Sequence, residues 1–146
     1  MSTSPAGMME RKGDAAMKKI INHPNNVVSE MLLGMSKVHP DLVYFGDTEV
    51  IARRQKSRKV GLVSGGGSGH EPAHAGYVGY GMLDAAVAGN VFSSPSPDRL
   101  LKGIEEADTG EGVLLIIKNY SGDVMNFEMA RDMAEMDGHT VETAVV

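Results

Sequence analysis

The sequence predicts an α/β domain built on a largely parallel sheet with flanking helices. Three observations carry that expectation. Short aliphatic runs alternate along the chain with segments whose apolar residues recur at helical spacing. Val113–Ile117 is a continuous aliphatic run, the pattern of a strand buried on both faces. Ser96-Pro97-Asp98 places a capping residue and a first-turn proline just ahead of Leu100, Leu101 and Ile104, and so opens a helix between two strands.

Taken in order, residues 1–16 are small, polar and charged and are expected to be disordered; Met17 opens a more structured stretch. Val27, Val28, Met31, Leu32, Met35 and Val38 fit one face of a helix over 26–38, capped by Asn25 or Asn26 and ended by His39-Pro40. Leu42–Phe45 and Thr48–Ala52 read as short strands joined through Gly46-Asp47. Arg53–Lys59 carries Arg53, Arg54, Lys56, Arg58 and Lys59 and reads as a solvated loop. Val60–Val63 is a short buried strand that Ser64 and the glycines after it should stop, and Leu83–Ala88 is a second, interrupted in polarity by Asp84. After the helix that begins at Ser96 and the strand Val113–Ile117, Asn119–Asp123 is a turn. Val124–Asp137 is then a helix closed by Gly138, and Thr140–Val146 a last strand. No repeat and no interior linker divides residues 17–146, so they form one domain.

Composition narrows the function. The 146 residues are 42% hydrophobic and 23% charged, with a net charge of −5, the profile of a globular protein. An acidic balance with pI near 5.5 offers no electrostatic footprint for nucleic acid or anionic lipid. Cysteine is absent, which removes thiolate metal sites and thiol nucleophiles and fits a cytoplasmic, reducing setting. No apolar stretch approaches the ~20 residues a membrane span needs, and residues 1–19 lack the apolar core of a secretory signal.

The 18 glycines concentrate between Gly61 and Gly89, and Ser64-Gly65-Gly66-Gly67-Ser68-Gly69-His70 follows a strand. Three readings compete for it. A nucleotide loop requires Gly-Lys-Ser/Thr or a third spaced glycine, and His70-Glu71 stands there instead. His70-Glu71-Pro72-Ala73-His74 matches a zinc-peptidase pattern by letter. That chemistry needs helical geometry across a central proline, and Tyr80 occupies the place of a third histidine. The favoured reading is a small neutral ligand held by exposed amides, with His70 able to donate, accept or move a proton. A second polar loop, Lys118-Asn119-Tyr120-Ser121-Gly122-Asp123, also follows a strand, and ligands of open α/β sheets bind beyond such carboxyl ends. Asp123 could serve simply as a helix cap, and Lys118 as a strand end reaching solvent. Together they could deprotonate a hydroxyl and neutralise developing negative charge. His23, His39 and His139 carry no spacing signal, and the methionines read as packing.

With both loops in view, the chain resembles the substrate-binding K subunit of dihydroxyacetone kinases. The likeness begins at Met17-Lys18-Lys19-Ile20-Ile21-Asn22 and passes through Lys37-Val38-His39-Pro40. It is strongest in Ser64–Pro72, Phe92–Asp98 and Gly110–Asp123, and it covers nearly everything after residue 16. The resemblance implies the N-terminal domain of a K-type subunit, truncated relative to the whole. It assigns acid–base catalysis to His70 and activation of the substrate hydroxyl to Asp123. Triose contacts are implied for Gly67 and Lys118, with Gly66 and Ser68 beside them. It further implies no metal and no cofactor on this chain, ADP or ATP with magnesium on a separate L subunit or domain, and a homodimer in the full-length form. Recharging of the nucleotide in the bacterial form draws on phosphoenolpyruvate. The histidine that attaches dihydroxyacetone covalently is expected beyond Val146. A regulatory K-like paralogue that binds the triose without phosphorylating it is the alternative.

Overall fold

The computed structural model describes residues 22–146, so the expectations for 1–16 and for Met17 lie outside the described residues. In chain order the elements are α1 (Val27–Val38), β1 (Leu42–Phe45), β2 (Val50–Arg53), β3 (Gly61–Ser68), β4 (Ala85–Val91), α2 (Pro97–Ala107), β5 (Val113–Ile117), α3 (Ser121–Met136) and β6 (Val141–Val145). A single 3-10 turn, Ala75–Tyr77, interrupts the connection from β3 to β4. One six-stranded sheet runs in the order β1-β2-β4-β3-β5-β6. Strands β4, β3, β5 and β6 run parallel to one another, whereas β1 and β2 form an antiparallel ribbon whose β2 pairs antiparallel with the β4 edge.

Helices α2 and α3 cover one face, where Val63, Val87, Leu100, Ile104, Leu115, Ile117 and Phe127 form the larger core. Helix α1 and the connection around Ala75–Val78 cover the other through Val28, Leu32, Ile51, Leu83 and Ala86. The period of α1 was readable because Val28 and Leu32 lie one turn apart on its buried side. Strand β5 departs from the expectation of burial on both faces. Val113, Leu115 and Ile117 are buried beneath the helices, while Leu114 and Ile116 on the opposite face are only half-buried. The cover on that side, α1, packs on β1 and β4 and leaves β5 partly open.

Three other expectations change. The turn between β1 and β2 spans Gly46–Glu49, because β2 begins at Val50 paired with Phe45. Arg53–Lys59 is not wholly a solvated loop. The Arg53 guanidinium donates to Asp84 Oδ1 at 2.8 Å, Lys59 pairs with the other carboxylate oxygen, and the Leu62 amide donates to it at 2.9 Å. Burial alone would raise the Asp84 pKa, but these three donors hold it below the usual carboxylate value. Removing the anion strands the Arg53 cation, whose side chain is 11% exposed. Asp84→Ala is therefore expected to cost about 2–3 kcal/mol, read from urea denaturation, with most of the loss on Arg53 because Lys59 reaches water.

The third change concerns the glycines. They do not stop β3; the strand continues through Ser68, paired with β4 from Val63↔Ala85 to Ser68↔Val91. Glycine is used there for close approach. At Gly67 an added Cβ would stand 2.6 Å from the Ser93 amide nitrogen. Strand β5 pairs with β3 only as far as Ser64↔Ile116. From Gly65 onward β3 therefore has β4 on one side and, on the other, space facing the turn after β5.

Candidate active site

That space is where the chain gathers its polar side chains. A cavity of about 240 Å³ is lined by Gly67, His70, Phe92, Ser94, Lys118, Tyr120 and Asp123. Gly67 and His70 come from the end of β3 and the residues after it. Phe92 and Ser94 follow β4, Lys118 and Tyr120 follow β5, and Asp123 lies in the first turn of α3. Three parallel strands thus deliver their carboxyl-terminal residues to one place, as open α/β sheets do for ligands. The volume falls below the ~300–1,000 Å³ of pockets for drug-sized ligands and equals roughly eight water molecules. It suits a few-carbon polar compound.

Asp123 is 3% exposed. One carboxylate oxygen accepts from the Ser94 hydroxyl, and the other lies 3.7 Å from Lys118 Nζ. It is not the helix cap that the turn pattern allowed: α3 begins two residues earlier, at Ser121, with Tyr120 in the capping position. Its place in the first turn sets its negative charge at the positive end of the helix dipole. The Lys118 ammonium also sits over the Tyr120 ring, 5.2 Å from the centroid. The exposed His70 imidazole meets Phe92 edge-on, with centroids 5.4 Å apart. A carboxylate, an ammonium and an imidazole thus share one opening, the set needed to take a proton from a hydroxyl and to balance charge on a group transferred to it.

Of the residues singled out from sequence, Gly67, His70, Lys118 and Asp123 line this cavity together. Ser68 and Gly66 do not. The Ser68 side chain is buried and its hydroxyl donates to the Gly89 carbonyl at 2.8 Å, so it supports the β3–β4 pair rather than facing the opening. Gly66 lies to the side, where a Cβ would meet Lys118 and His74. Phe92 and Ser94 were missed as site residues because β4 was expected to end at Ala88 and in fact runs on to Val91. That the Phe92–Asp98 block lies just past a strand was the available signal.

The zinc-peptidase pattern loses its geometry, since His70–His74 runs as a bend and turns rather than a helix. Among the described residues no group of three or more His, Cys, Asp or Glu side chains could hold a metal ion. Among them, too, no helix is long and apolar enough to cross a membrane. His74 instead turns inward and bonds Ser64 Oγ through Nδ1 at 2.9 Å. Burial first, then the Lys118 ammonium, push its pKa down from 6.5 to about 4, with Asp123 pulling it up and His70 lowering it further. The folded protein therefore takes up this proton at lower pH than the unfolded chain. Stability is full above 6.5 and falls as pH drops toward 4. Asp84, Glu106 and Asp108 are all held below their ordinary values, the highest of which is 4.5, so their titration lies lower. A urea midpoint that declines across this window, and declines less in His74→Gln, is expected. A flat wild-type profile would contradict the buried neutral ring.

Fold and cavity together define an α/β domain with a small polar site at the carboxyl edge of its sheet. A family model described as the Dak1 domain matches residues 33–146. The dihydroxyacetone-binding subunit of PTS-dependent dihydroxyacetone kinase 1 from Listeria innocua is 62% identical over 132 residues, 89% of this chain and 40% of that protein. The dihydroxyacetone-binding subunit of the PEP-dependent kinase from Escherichia coli K12 is 48% identical over 132 residues, again 89% of this chain and 37% of that protein. Among solved structures, the dihydroxyacetone kinase of C. freundii in complex with AMP-PNP and Mg2+ superposes with a TM-score of 0.82 at 40% identity. The match covers 90% of this chain and 26% of that one. The chain belongs to the Dak1 domain family. It spans about 40% of the length of the bacterial relatives it matches.

Proposed function

We propose that this chain is the triose-holding part of a dihydroxyacetone kinase, placing one hydroxyl of dihydroxyacetone for phosphoryl transfer. The observation that carries the reading is the meeting of Asp123, Lys118 and His70 around one small cavity. In the step proposed, the Asp123 carboxylate takes the proton of the substrate hydroxyl as its oxygen bonds to phosphorus, and the donor's P–O bond breaks with the electron pair leaving on the nucleotide. Lys118 offsets the charge that develops, and His70 hydrogen-bonds the substrate and shares its proton movement. Backbone at Gly67 forms the wall against which the triose lies. Such transfers rest mainly on positioning and electrostatics, so substrate and nucleotide can be held by different chains.

The nucleotide with its magnesium is assigned to a partner L subunit or domain, and phosphoenolpyruvate-linked recharging follows the names of the relatives in Listeria and Escherichia. A cytoplasmic homodimer, with covalent attachment of the ketone at a histidine outside residues 1–146, completes the reading. Relatives named as kinase subunits support it over a purely regulatory paralogue. The test is phosphorylation of dihydroxyacetone by the full-length protein mixed with a nucleotide-bearing L subunit and donor. Triose binding by calorimetry without turnover in any such mixture would favour the regulatory paralogue; absence of triose binding would end both.

A further inference from the structure

His74 lines no part of the cavity described above, yet its ring and Lys118 both border Gly66. The Ser64 hydroxyl has one proton, and it donates that proton to the Ile116 carbonyl at 2.7 Å. Its oxygen must therefore accept from His74, which places the ring proton on Nδ1 and leaves a lone pair on Nε2. Nε2 is buried and has no hydrogen-bond partner among the described residues. Such an acceptor costs stability unless something uses it.

What it faces is set by Gly66, two residues beyond Ser64 and on the same side of β3. A Cβ at Gly66 would stand 3.0 Å from His74 Nε2 and 2.8 Å from Lys118 Nζ. Nε2 and the ammonium thus border the same small space, the one a side chain at Gly66 would fill. Lys118 has donors to spare, because 3.7 Å to Asp123 is an ion pair rather than a hydrogen bond.

We propose that His74 is a positioning residue for Lys118: its Nε2 accepts an N–H of the ammonium when the triose site is filled, holding the cation between the glycine strand and Asp123. The ring suits the task because a protonated imidazole would repel the lysine, and burial keeps it neutral. Ser64 supplies the tautomer. The inference deepens the kinase reading and rests on it for its kinetic arm.

The test uses the full-length protein with its L subunit. His74→Asn keeps an N–H for Ser64 but deletes the acceptor, whereas His74→Gln can return a carbonyl oxygen near the Nε2 position. For the asparagine variant we expect kcat to fall on the order of 10²-fold, the scale of a misplaced reacting group. The KM for dihydroxyacetone should change much less, and glutamine should recover most of the loss. In parallel, with dihydroxyacetone present, 15N-labelled lysine should show the Lys118 ammonium resonance shifted in His74→Asn and restored in His74→Gln. Wild-type kcat in the asparagine variant, or equal loss in both variants, would overturn the proposal. If wild-type protein proves inactive on the triose, the kinase reading fails and the Lys118 ammonium resonance alone decides the role of His74. If His74→Asn does not fold, Ser64→Ala takes its place, since it frees the ring to adopt either tautomer. A several-fold drop in kcat is then expected, and unchanged turnover would overturn the proposal.

Discussion

Asp123→Asn in the full-length protein is expected to lower kcat for triose phosphorylation by about 10³-fold, within the range of 10²–10⁴ for loss of a positioned general base. The substitution is nearly isosteric and separates chemistry from folding. An asparagine carbonyl can still accept from Ser94, as Asp123 Oδ1 does. The first turn of α3 loses a favourable charge at its N-terminus, worth roughly 0.3–1 kcal/mol, too little to unfold a domain. Lys118 loses its ion-pair partner but is itself partly open to water, so it is not left as a buried orphan. The thermal midpoint should therefore move by a few degrees at most while turnover collapses. Because the base acts on the hydroxyl as it attacks, kcat should fall far more than triose affinity. Turnover within tenfold of wild type in a folded variant would remove Asp123 from proton transfer and leave its charge toward Lys118 as its whole contribution.

The likeness of the two loops was legible in the sequence because each follows an aliphatic strand, and parallel strands open at their carboxyl ends. Helix α1 was legible because periodic apolar residues report one buried face, α2 because Ser96-Pro97 opens it ahead of Leu100 and Ile104, and β5 because its aliphatic run is unbroken, although only one of its faces is fully buried. The glycine segment was not. Glycine reads as a strand breaker when nothing else is known, yet here side-chain-free backbone lets β3 lie against Val87, Phe92 and Ser93. Extending that strand from Val63 to Ser68 is what moves Ser68 into the sheet and turns its hydroxyl away from the cavity. The Arg53–Asp84–Lys59 cluster was hidden as well, because Arg53 and Asp84 are brought together by β2–β4 pairing and no local pattern encodes that. His74 escaped for a further reason. Its spacing from His70 suggested a metal, and its actual partner, Ser64, reaches it only after the chain folds back from the turn at 70–74.

The same glycines make Phe127 the side chain on which the site most depends for its shape. Phe127 is fully buried in the larger core, one turn along α3 from Asp123. Its ring tip lies 3.4 Å from where a Cβ of Gly65 would be, so it packs directly beneath the glycine half of β3. Truncation removes both the transfer free energy of the ring and the support under two site-bearing elements. Phe127→Ala is expected to destabilise the protein by about 3–5 kcal/mol, while Phe127→Leu, which keeps most of the volume, should cost under about 1.5 kcal/mol. Urea denaturation at neutral pH distinguishes the two, and the comparison also reports on function. If the ring holds α3 against β3, the alanine variant that remains folded should bind triose more weakly, because Asp123 and Gly67 lose their common footing. The leucine variant should bind normally. A loss below 1 kcal/mol for alanine would mean that the helix collapses into the void without penalty. Packing under Gly65 would then have no part in setting the distance between the two sides of the cavity.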